Sequence, residues 1–191
     1  MQKQALGWMR FPGGEDTKPR LALFRGRLSL AEKPDSALIQ ITADSRYKLY
    51  VNGAFVETGP ARANGEAWYL DAVDIARWLR AGENVLAVEV LRYPAIHGAG
   101  CHSVLRTRTP GLYVHAELPL EWKCCLHGGF EIVPENPWFA PLMIYERAAA
   151  DSVLAGWREP GYEDSGGISL KYYAQGGIDP ILSPDCLVPR P

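Results

Sequence analysis

The chain has 191 residues, 47% of them hydrophobic and 22% charged, with a formal net charge of −2. That size fits one well-filled domain with an appendage, and a near-neutral balance without a long basic run argues against nucleic acid or an anionic membrane as a partner. The apolar runs fall far short of a membrane span, and Met1 to Trp8 lacks the apolar core of a secretory signal, so a cytoplasmic location is expected unless a leader was removed.

In chain order, Trp8 to Arg20 reads as a lead-in loop, with a turn at Pro12-Gly13-Gly14 and a second break at Pro19. Ala22, Phe24, Gly26, Leu28 and Leu30 then alternate with Leu23, Arg25, Arg27 and Ser29, which predicts a strand with a mixed outer face. Lys33-Pro34-Asp35 turns the chain. From residue 39 to 51 the alternation is strict: Ile39, Ile41, Ala43, Tyr47, Leu49 and Val51 on one side, Gln40, Thr42, Asp44, Arg46 and Lys48 on the other. This predicts one half-buried strand. Its polar face is expected to be solvated, with Asp44 paired to a neighbouring arginine. Asn52-Gly53 before Ala54-Phe55-Val56 signals a hairpin, because a type I′ turn needs positive φ at both central residues.

Gly59 to Gly65 has no periodicity and reads as a loop, and Trp68 to Leu70 as a short strand. Asp74 is expected to cap a helix of one or two turns over Ile75 to Arg80, with Gly82 as the left-handed residue beyond it. Leu86, Val88 and Val90 predict another strand. Tyr93 to Pro110 is a long loop rich in Gly, His and Arg, the kind of segment in which binding usually resides. Leu112, Val114, Ala116 and Leu118 alternate as a strand, Trp122 to Leu126 is one more, and Ile144 to Arg147 is expected to close the set. Beyond Asp151 the periodicity fades, and Ile181 to Pro191, with three prolines, reads as an extended tail. The predicted fold is therefore an all-β, jelly-roll β-sandwich over residues 1–150, with one short helix, followed by an irregular linker or tail over 151–191.

Four cysteines, Cys101, Cys124, Cys125 and Cys186, match no zinc spacing. In a strand Cys124 and Cys125 point to opposite faces, so unpaired thiols in a reducing compartment are expected and no metal site is assigned.

The run Ala43-Asp44-Ser45-Arg46-Tyr47-Lys48-Leu49-Tyr50-Val51-Asn52-Gly53, followed by Gly59-Pro60-Ala61-Arg62, by Tyr69-Leu70-Asp71 with Asp74-Ile75, and by Gly82-Glu83-Asn84-Val85-Leu86-Ala87-Val88-Glu89-Val90, resembles the N-terminal β-sandwich of bacterial α-L-rhamnosidase-like glycoside hydrolases. Gly156-Trp157-Arg158-Glu159-Pro160-Gly161-Tyr162-Glu163-Asp164-Ser165 is similar to the segment that follows that sandwich. Where the family tends to place a tryptophan next, this chain has Gly166-Gly167. The resemblance covers most of residues 8 to 165 and implies a galactose-binding-like fold. It also implies a partner: an α/α-barrel, as a further domain or subunit, that carries the carboxylates for inverting hydrolysis of terminal L-rhamnose. No residue of this chain inherits a catalytic role from that barrel.

The residues themselves agree. Glycoside hydrolysis needs two opposed carboxyl groups, one with a raised pKa. Of Asp71, Asp74, Glu89 and Glu117, Asp74 is better read as a cap and the others as outward strand positions. No Gly-x-Ser-x-Gly elbow, phosphate-cradling loop or His-Glu-x-x-His occurs. No acidic loop suggests calcium, and no cofactor is expected. Sugar binding needs an aromatic platform ringed by groups that bond to hydroxyls. The candidates are Tyr93, His97 and His102 in the long loop, with Trp68, Arg62 and Arg92 nearby. Against this, Trp68 and Tyr47 also suit a core, Arg62 a carboxylate partner, and the histidines plain solvent. The expected role is a non-catalytic accessory sandwich that contacts a rhamnose-containing glycan. A free-standing carbohydrate-binding module is the alternative, and a small hydrolase with its own site the third.

Overall fold

The computed structural model describes residues 8–10, 20–61, 68–92, 111–133, 145–149, 154–164 and 187–189. The strands are β1 (Trp8–Arg10), β2 (Arg20–Leu30), β3 (Leu38–Ala43), β4 (Arg46–Val51), β5 (Ala54–Gly59), β6 (Trp68–Asp74), β7 (Gly82–Arg92), β8 (Gly111–Ala116), β9 (Glu121–Leu126), β10 (Phe130–Val133), β11 (Tyr145–Ala148) and β12 (Leu187–Pro189). Five of them form one sheet in the order β5-β4-β7-β2-β9, and five form a second in the order β1-β8-β3-β6-β12. The pairing is antiparallel except where β12 runs parallel to β6. This is the expected all-β jelly-roll sandwich. The core between the layers is built from the predicted alternating positions, with Phe24, Ile39, Ile41, Tyr47, Leu49, Val51, Leu86, Val88, Val90 and Leu112 all buried.

The segment predicted as one strand over residues 39–51 is two strands in two sheets. The Asp44 N–H donates to the Gly111 carbonyl at 3.0 Å, and the next N–H, that of Ser45, donates to the Leu91 carbonyl at 3.1 Å. The chain thus leaves one sheet and joins the other between adjacent residues. The alternation survives because both inner faces look onto the same core: Ile39, Ile41 and Ala43 enter it from one layer, Tyr47, Leu49 and Val51 from the other. The corner also buries part of the supposed polar face. Thr42 and Asp44 are buried, and Asp44 receives the Ser45 hydroxyl at 2.9 Å and the Arg92 guanidinium at 3.5 Å. The expected Asp44–arginine pair exists, inside the protein rather than on its surface.

Asn52 and Gly53 have φ of 49° and 81°, as the hairpin turn requires. The helix expected over Ile75 to Arg80 is shorter than predicted, a single 3-10 turn at Ala76–Trp78. The N-cap position falls on Ile75 rather than Asp74, but Asp74, one residue earlier, still closes the start of the turn: one carboxylate oxygen accepts the N–H of Ala76 at 2.9 Å and of Ala37 at 3.0 Å, the other the Ser36 hydroxyl at 2.8 Å. The turn cannot continue because side chains occupy the backbone groups that a helix would need. Asn84 bonds both the N–H and the carbonyl of Arg80, and Asn52 takes the carbonyl of Trp78. Gly82 does sit at positive φ, 85°, but as the first residue of β7.

Three further corrections concern edges. Trp8–Arg10, read as part of a loop, pairs with β8. Leu187–Pro189, in the predicted tail, pairs with β6. The expected closing strand near Ile144 to Arg147 is β11, but among the described residues it pairs only with the unpredicted β10, in a separate two-stranded sheet.

Asp71, expected to face outward, points into the core, where it accepts the Tyr47 hydroxyl of the opposite sheet at 2.7 Å. Gly59 makes room for this pair, since a Cβ there would collide with the Asp71 carboxylate and the Tyr47 ring. Replacing Tyr47 with phenylalanine keeps the ring and removes the buried donor. The expected loss is about 1–3 kcal/mol of unfolding free energy, read from urea denaturation with an unchanged m-value.

Candidate functional site

The outer face of the β5-β4-β7-β2-β9 sheet carries the most developed side-chain assembly. On a strand with one face in the core, Leu23 and Arg25 of β2 should be solvated. Here both are buried, because residues 154–164 lie across the sheet as a strap. These residues form neither strand nor helix, as the irregular reading expected, yet they are packed rather than trailing. Trp157 buries its ring with Leu23, Val85 and Ala87, flanked by Leu21, Tyr50, Cys125, Leu154 and Tyr162.

Arg25 is the anchor. Its Nε donates to the Trp157 carbonyl at 3.1 Å, one terminal nitrogen to the Glu159 carbonyl at 3.0 Å and the other to Asp164 at 3.1 Å, while Tyr162 lies against the guanidinium at 5.7 Å. Planar donors on three sides of a fork are what arginine supplies and lysine does not. Lys123 also bonds Asp164, at 3.1 Å, with Arg27 at 3.7 Å. A second point of attachment is Arg158, ion-paired with Glu89 and stacked 4.1 Å over the Tyr50 ring.

Burial alone would raise the Asp164 pKa. The Lys123 hydrogen bond and the charges of Arg27, Lys123 and Arg25 outweigh it and hold the carboxyl below its usual range. A depressed folded value means that this stabilisation is complete above the unfolded pKa of about 3.9 and is lost as pH falls through the folded value. The strap is therefore expected to be indifferent to pH from neutrality down to about 5 and to loosen on further acidification. The Trp157 indole NMR signal reports this, and Asp164→Asn should abolish the pH dependence.

The sequence-predicted sugar residues fare as follows. Arg62, Tyr93, His97 and His102 lie outside the described residues, as does the side chain of Trp68, whose backbone pairs with Leu187 in β6. Arg92 is buried against Asp44. Arg92 is thus the one member of that proposed cluster whose side chain is described.

The four carboxylates considered for catalysis are also placed. Asp71 holds Tyr47, Asp74 caps its turn, Glu89 pairs with Arg158, and Glu117 is exposed. An open cleft of about 420 Å³ lies near the end of β2, lined by Arg27, Leu28, Ser29, Glu83, Pro119 and Glu121. It has two acidic side chains and no aromatic wall. Cys124 faces the core and Cys125 the strap side, as adjacent strand positions must. Burial pushes the Cys124 thiol well up and that of Cys125 to about 11, so neither is a thiolate nucleophile at neutral pH. Among the described residues no group of three His, Cys, Asp or Glu side chains is placed to hold a metal ion. Nor is any helix among them long and apolar enough to cross a membrane.

The fold is that of an all-β, galactose-binding-like sandwich. No family model matches the chain. An α-L-rhamnosidase of Streptomyces avermitilis is 29% identical over 179 residues, which is 91% of this chain and 15% of that protein. The crystal structure of a GH78 family rhamnosidase of Bacillus sp. GL1 matches all of this chain and 20% of its own, with 27% identity and a TM-score of 0.75. A lectin of Pleurotus ostreatus, 17% identical with a TM-score of 0.52 over 93% of this chain and 44% of its own, shares the fold alone. The resemblance read from the sequence is thus borne out: the homologues are α-L-rhamnosidases, and the chain spans between a seventh and a fifth of their length.

Proposed function

We propose that this chain acts as the non-catalytic accessory sandwich of an α-L-rhamnosidase-like glycoside hydrolase and contacts carbohydrate. On this reading residues 1–150 are the body of the sandwich, and residues 151–191, which also supply the strap and β12, lead toward an α/α-barrel catalytic domain or subunit. The observation that carries it is the pairing of a match to only part of each rhamnosidase with the structural employment of the carboxylates. Asp71, Asp74 and Glu89 are each committed to a fold contact, so none of them is a free acid or base. A lectin that shares this fold has been crystallised with GalNAc, which supports the architecture as one that carries sugars.

The test is an assay of the purified chain on p-nitrophenyl α-L-rhamnoside. No turnover above buffer is expected. Turnover that disappears in Glu83→Gln or Glu121→Gln would replace this reading with an enzyme whose site is the β2 cleft.

A further inference from the structure

We propose that the Phe55 ring, held edge-on by Tyr50 on a hairpin that Arg158 and Glu159 also touch, is a contact platform for a neutral pyranoside. This rests on the carbohydrate-binding reading above and gives it a place on the molecule.

Phe55 is 55% exposed, one of two large hydrophobic side chains left so open among the described residues. Unlike Leu38, the other, it belongs to an aromatic assembly. It stands directly opposite Tyr50 across the β4–β5 hairpin, with ring centroids 5.7 Å apart and planes at 70°. Arg158 stacks on the Tyr50 ring and is itself tied to Glu89. The support is thus fixed from behind by the strap, while the Phe55 ring stays open. A rigid, uncovered aromatic face offers the C–H face of a pyranose a stacking surface at small entropic cost.

The surroundings favour a sugar over a protein. A protein-docking surface is a contiguous apolar patch of several hundred Å² or more. Here one ring is open, on a hairpin that also carries charged groups. Arg158 is half-buried on the Tyr50 ring, and the Glu159 carboxyl lies over Gly53 at the hairpin tip. A guanidinium on the supporting Tyr50 and a carboxylate at the hairpin tip are suited to the hydroxyls of a sugar that extends past the Phe55 ring.

The experiment is an NMR titration of the isotope-labelled chain with methyl α-L-rhamnopyranoside and methyl β-D-galactopyranoside at millimolar concentration. Saturable shifts are expected at amides 50–57 and 158–159. Phe55→Ala should weaken binding about tenfold with an unchanged Tm, Phe55→Leu should weaken it similarly, and Phe55→Trp should retain it. Unchanged affinity in Phe55→Ala and Phe55→Leu, or shifts elsewhere on the chain, would discard the platform and leave the carbohydrate reading standing. No saturable shift with either glycoside would discard the platform and count against that reading as well.

Discussion

Replacing Asn84 with alanine is expected to lower the unfolding free energy by about 3 kcal/mol or more, the effect of several buried polar groups losing partners at once. Asn84 is fully buried. Its amide nitrogen donates to the carbonyls of Arg80 at 2.7 Å and Gly82 at 2.9 Å. Its oxygen accepts the Arg80 N–H at 2.9 Å and the Asn52 amide at 2.8 Å. Asn52 in turn donates to the Trp78 carbonyl and accepts the Val85 N–H, each at 2.9 Å. The two asparagines therefore knot the β4–β5 hairpin to the 3-10 turn and to the start of β7. Asn84→Asp should be nearly as damaging, because it removes both donors and buries a charge. Asn52→Ala should cost less than Asn84→Ala. The double variant should fall short of the sum, since the shared 2.8 Å bond is lost only once. Urea denaturation of the unsubstituted protein and the four variants reads all of this.

The second large effect is expected at Arg25. Arg25→Met keeps much of the side chain's length and removes every bond it makes to the strap. Breaking a buried pair by removing one partner typically costs about 3–5 kcal/mol, and here Lys123 and Arg27 remain beside Asp164, so the lower end applies. The loss should be local before it is global: amides of residues 154–164 should exchange faster, and limited proteolysis should cut there first, while β3, β6 and β8 stay protected. Arg25→Lys should rescue little, since one ammonium cannot reach the two carbonyls and the carboxylate that the guanidinium fork serves. Equal acceleration of exchange throughout both sheets would show that the strap is not a separable layer.

Much of the interior was legible in the residues. The alternation that placed Ile39, Ile41, Tyr47, Leu49 and Val51 in a core, the Asn52-Gly53 turn and the Asp74 cap all depend on local backbone geometry, and local geometry is written in adjacent side chains. The site was less legible. Leu23 and Arg25 look like an ordinary outer face until Trp157 and Asp164, more than 130 residues later, cover them. A signal was present in Leu23, since an apolar residue on a polar face hints at a cover, but nothing local says what the cover is.

By itself the sequence determined that this is a two-layer β protein, and which side chains fill the space between the layers, because a period of two is a property of the strand alone. The tertiary structure decided which sheet each strand joins. The corner at Asp44 and Ser45 falls within an unbroken alternation, because the inner faces of both sheets look onto one core and the pattern stays in phase across it. It also decided that Asp71 and Arg25 are buried, since burial of a polar group depends on partners brought from distant parts of the chain, Tyr47 for the one and the strap for the other.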